Sequence, residues 1–186
     1  RLADTVAFLR EHCFVSGGFF QDMIHSGINP YLTLHVAQVL LRDGDPGWFE
    51  MVETVARLAS STGQWPEAIH PRTDGGCMGD GQHMWAAAEW VLAMRNAFVR
   101  DEGNQVILGS GLPESWLSSG RKMSFGPAPT RWGRITVSLE PAGQDMNVRW
   151  HANWRDVPPK MEIRLLGFEP VAAAGKHGTL TLSKPA

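Results

Sequence analysis

Hydrophobic and polar positions change their spacing once along the chain, and that change divides it. Leu2, Val6, Leu9 and Cys13 recur at helical intervals while Asp4, Arg10 and Glu11 fall elsewhere, which predicts a one-sided surface helix over 2–13. Asn29-Pro30 is a good helix start, because asparagine caps free amides and proline suits the first helical position. The segment 31–41 that follows is apolar nearly all round, as in a helix buried on most sides. A third helix, roughly 47–60, places Trp48, Met51, Val52, Val55 and Ala59 opposite Glu50, Glu53 and Arg57. Residues 82–99 have few charges and predict a second buried helix. Outer, inner, outer, inner is the resulting order, which predicts an arc of antiparallel helical hairpins whose inner helices begin at a common end.

From Asp101 onward the pattern is one of short β-type runs divided by Gly and Pro, at 105–108, 122–125, 134–139, 147–151, 162–166 and 179–182. The runs at 134–139 and 147–151 alternate at period two, as half-buried antiparallel strands do. The expected fold class is α+β in sequence order: an arc of about four helices over 1–100, then a small antiparallel β-sandwich over 101–186.

Two loops precede the helices expected to be buried. The first, 15–29, holds Phe19, Phe20, Asp22 and His25, and the aromatics either line something or anchor the loop on the helices. The second, 63–83, concentrates the candidate chemistry: Gln64-Trp65-Pro66-Glu67, His70-Pro71-Arg72, then Asp80-Gly81-Gln82-His83-Met84-Trp85.

Composition narrows what such loops could serve. A 43% apolar and 19% charged chain is that of a globular domain with a core. Net charge is −2 with no basic run, which argues against nucleic acid. No apolar run is long enough for a membrane span, and nothing resembles a signal peptide, which leans toward the cytoplasm without settling the compartment. Cys13 and Cys77 are too few for a disulfide scaffold. Eight tryptophans against one tyrosine is the unusual feature, since indoles stack on sugar rings as readily as they fill cores.

The segments Gln64-Trp65-Pro66-Glu67 and Gly79-Asp80-Gly81-Gln82-His83, the Ala-rich stretch with Glu89-Trp90, and the run from Leu108 through Gly111-Leu112-Pro113-Glu114-Ser115-Trp116-Leu117 together resemble the C-terminal portion of the six-hairpin, (α/α)6-toroid glycoside hydrolases. Glucoamylase-like, amylo-α-1,6-glucosidase-like and α-L-rhamnosidase-like members belong to that superfamily. The resemblance implies a carbohydrate substrate, Glu67 as general base and His83 at the start of the last inner helix. It also implies that the helical arc over 1–100 is a partial (α/α) toroid of about four helices, and that the remaining hairpins, and the general acid, come from an upstream segment. No cofactor is implied.

The chemistry can be stated from the residues. Inverting hydrolysis needs an acid on the leaving oxygen and a carboxylate activating water across the ring, roughly 6.5–9.5 Å apart. Glu67 lies near His70 and Arg72, either of which could hold it ionised, and Pro66 and Pro71 stiffen the loop. Trp65 is a candidate sugar platform, with Gln64, Asp80, Gln82, His83 and Trp85 as further substrate contacts. The residue-level alternatives are a salt bridge from Glu67 to Arg72, a helix cap at Asp80 and a core hydrogen bond at His83. Glu89 and His35 read as structural, with an arginine the kind of partner Glu89 would need. Three rival functions remain: zinc on His70, Cys77, Asp80 and His83; phosphorolysis, with an anion held by the glycines 75–81; and a non-catalytic carbohydrate-binding or structural fragment.

Overall fold

The computed structural model describes residues 2–185, which divide into two compact units between Ala93 and Met94. In the first unit α1 (Leu2–His12) buries only Val6. It is followed by β1 (Phe14–Val15), β2 (Gly18–Gln21) and β3 (Gly27–Ile28), then by α2 (Pro30–Asp43) and α3 (Gly47–Arg57). Asn29 caps α2 by accepting the Leu32 amide at 2.9 Å, and Gly44, at φ 78°, ends it in the left-handed conformation that glycine adopts without strain. Leu34, Ala37, Leu40 and Leu41 of α2 and Trp48, Met51, Val52 and Val55 of α3 are buried as the two helices pack together. After α3 come β4 (Ala68–Ile69) and β5 (Gly76–Met78), then α4 (Met84–Phe98). The five short strands join in the order β1-β2-β3-β4-β5, antiparallel throughout, with Ile28 opposite Ile69 at the centre.

The second unit holds two four-stranded sheets. One consists of β6 (Val99–Glu102), β7 (Gln105–Leu108), β11 (Lys160–Ile163) and β12 (Val171–Ala173), with β11 parallel to β7. The other consists of β8 (Met123–Thr130), β9 (Gly133–Ala142), β10 (Asp145–Trp154) and β13 (His177–Leu182), antiparallel throughout. A short helix, α5 (Glu114–Leu117), lies between β7 and β8 in the chain. Ile135, Val137 and Leu139 of β9, and Met146, Val148, Trp150, Ala152 and Trp154 of β10, are buried at every second position, the signature of a sheet with one face in a core.

The partial toroid followed by a β-sandwich is not the architecture found. Among the described residues thirteen strands form three sheets beside five helices, and no ring of helical hairpins is present. Four helices do form near the expected positions, but the segments 14–28 and 68–78, expected as loops, are strands that pair with one another and make the helical half a mixed one. Nor is α4 buried on most sides: Ala86 and Ala93 are buried, whereas Met84, Trp85, Val91 and Leu92 are 75%, 62%, 62% and 45% exposed.

Candidate functional site

The loop after α3 is held at several points. The Trp65 indole is 5% exposed, packs on Trp90 at 5.4 Å and donates its N–H to the Val55 carbonyl at 2.7 Å. Trp65 is therefore an anchor of the loop on α3, and a buried ring has no face to offer a sugar. Two residues on, the Glu67 amide donates to the Met78 carbonyl at 3.0 Å, which joins the approach to β4 with the exit from β5. The His83 amide closes the segment by donating to the Trp65 carbonyl at 2.8 Å. Gly79, at φ 81°, passes so close that a Cβ there would lie 3.3 Å from Glu67 Cβ.

Glu67 is half-buried, and among the described residues its carboxylate has no hydrogen-bond or ion-pair partner. Neither His70 nor Arg72 clamps it. Both are exposed in the turn between β4 and β5, where the Arg72 amide donates to His70 Nδ1 at 3.2 Å. Pro66, next to Glu67 in the chain, and Gly79, close to its backbone, line a cleft of about 510 Å³ with Arg57, Gln64, Asp80 and Gln82, and Glu67 itself is not among the lining residues. Asp80 Oδ1 accepts the Gln82 amide at 2.9 Å, so this carboxylate braces the loop. The structure thus brings Gln64, Asp80 and Gln82 together on one cleft, and leaves Glu67, His70, Arg72, Trp65, His83 and Trp85 outside its lining.

His83 and Trp85 belong to a second cluster, between α2 and α4. Tyr31 packs on His35 at 4.2 Å, on Trp85 at 5.3 Å and, edge to face, on His83 at 6.2 Å; His83 and Trp85 are 5.6 Å apart. Beside them Glu89 accepts from Gln38 Nε2 at 2.5 Å through one carboxylate oxygen and meets His35 Nε2 at 3.1 Å through the other. Glu89 has its partner, but that partner is a histidine and an amide, not an arginine. His83 Nδ1 is buried with no hydrogen-bond partner. Tyr31, His35, Gln38 and Glu89 were not among the candidate site residues. Their signal was spacing, since 31, 35 and 38 share one face of α2, and 85 and 89 one face of α4.

The zinc arrangement does not assemble. Cys77 Sγ donates to the Ser26 carbonyl at 3.2 Å, and among the described residues no three His, Cys, Asp or Glu side chains converge as a metal site. In the earlier loop Phe19 packs edge-on against Phe14 at 6.0 Å, an anchoring role, while the buried Gln21 donates to Met78 Sδ at 3.2 Å and accepts from Asn29 at 2.7 Å, tying β2 to β5. No described helix is long and apolar enough to cross a membrane. Compared with protein-family models, curated proteins and solved structures, the chain matches none of them.

Proposed function

We propose that this chain is part of a glycoside hydrolase that cleaves O-glycosidic bonds with inversion, and that Glu67 is its general base. One observation carries the reading: among the described residues Glu67 is a half-buried carboxylate without a protein partner, on a braced turn whose neighbours Pro66 and Gly79 line a polar cleft. A carboxylate in that state can accept a proton from water, and a backbone tied at Met78 and Trp65 positions it with little loss of freedom on binding. Gln64, Asp80 and Gln82 supply hydroxyl-binding groups within the cleft. Hydrolysis is favoured over phosphorolysis because Asp80 presents negative charge where phosphate would sit and already takes the Gln82 amide. Turnover of aryl glycosides by the full-length gene product, compared with its Glu67→Gln variant, tests the assignment. A loss of about a hundredfold or more is expected for a general base, and undiminished turnover would refute it.

A further inference from the structure

We propose that the surface formed by Tyr31, His35, His83 and Trp85 binds a neutral saccharide ring, at a site separate from the cleft near Glu67. The chemistry follows from what each group has left to offer. Trp85 is 62% exposed yet not loose, since Tyr31 lies 5.3 Å and His83 5.6 Å from its ring. An indole ordered before binding gives a flat apolar face at low entropic cost, and the C–H face of a pyranose is its natural complement.

The same geometry disfavours a cationic ligand. The aromatic rings touch one another and so enclose no cage, and both oxygens of Glu89 are already engaged, by Gln38 and His35. What remains is neutral hydrogen-bonding capacity. With Nε2 directed at Glu89, the 43% exposed His35 leaves Nδ1 for a hydroxyl. A flat ring face beside an exposed imidazole nitrogen, with the Glu89 carboxylate already engaged, matches a polyhydroxylated ring. Met84, Val91 and Leu92 extend the apolar surface beyond Trp85, so an apolar protein partner is the competing occupant.

The test is calorimetric titration of the protein with maltotriose, cellotriose, xylotriose and L-rhamnose, in parallel for Trp85→Ala, Trp85→Phe, His35→Ala and Glu67→Gln. Trp85 is exposed, so its replacement leaves the core untouched, and a circular dichroism melt checks folding of each variant. The proposal expects binding of at least one sugar, weakened at least about tenfold by Trp85→Ala, the scale of a lost aromatic contact. It also expects partial retention in Trp85→Phe, weakening in His35→Ala and, in the Glu67→Gln background, the same loss when Trp85→Ala is added. Binding that is indifferent to Trp85, or absent for all four sugars, overturns it. So does self-association of the wild type, seen by sedimentation, that Trp85→Ala abolishes, because the surface is then a protein interface. The proposal shares with the Glu67 assignment only the class of ligand: loss of turnover in Glu67→Gln bears on the cleft, and loss of binding in Trp85→Ala bears on the platform.

Discussion

The indole N–H of Trp65 donates to the main-chain carbonyl of Val55 at 2.7 Å, ten residues earlier, and so ties the start of the candidate loop to the last turn of α3. Replacing Trp65 by Phe keeps a ring in the core but leaves that buried carbonyl short of a donor, at an expected cost of about 1–3 kcal/mol. Trp65→Ala adds a cavity and should cost about 3–5 kcal/mol. Urea denaturation measures both, and a change under about half a kcal/mol in Trp65→Ala would contradict the anchoring role.

Gly27 of β3 faces the backbone of β4, where a Cβ would stand 2.8 Å from both the Ile69 carbonyl oxygen and Cys77 Sγ. Backbone cannot yield as a side-chain end can, so Gly27→Ala should destabilise the first unit by about 1–3 kcal/mol. Thermal melts of the variant check this, and an unchanged midpoint would speak against the pairing of β3 with β4.

Glu89 is held by two side chains of α2, and its side chain is 14% exposed. Glu89→Ala removes both contacts at once, and about 1–3 kcal/mol of stability should go with them. Since His35 itself is 43% exposed, the lower end of that range is expected. Denaturant midpoints for Glu89→Ala, His35→Ala and the double variant give the coupling, which additive effects would show to be absent.

The outer face of α4 presents Met84, Trp85, Val91 and Leu92 to solvent. Such a contiguous apolar patch should bind a hydrophobic dye such as anilinonaphthalene sulfonate in the native state. Val91→Lys with Leu92→Lys should reduce the fluorescence severalfold with little change in melting temperature. Undiminished fluorescence would place the dye elsewhere.

Helices α1 to α4 were legible in the sequence because each spans three or more turns, long enough for the 3.6-residue period to register, and the Asn29 cap was readable for the same local reason. The five-stranded sheet was not. Its strands are two to four residues long, and its central pair, Ile28 with Ile69, joins positions about forty residues apart that no local pattern connects. The apolar run 84–98 misled differently, because amphipathicity cannot report a face that is apolar and yet exposed. In the candidate site, Gln64, Asp80 and Gln82 were visible as a cluster in one loop, and they share a cleft that Glu67 does not line. Burial of Trp65 was not, because an indole reads the same in sequence whether it fills a core or faces a ligand.

Anomeric product analysis by NMR, on the full-length gene product and its Glu67→Gln variant with a panel of aryl glycosides and oligosaccharides, tests the role of Glu67 most directly. Inversion at the anomeric carbon in the parent, with a loss of about a hundredfold or more in the variant at equal stability, is the predicted result. Retention of configuration, or a variant as active as the parent, would contradict it.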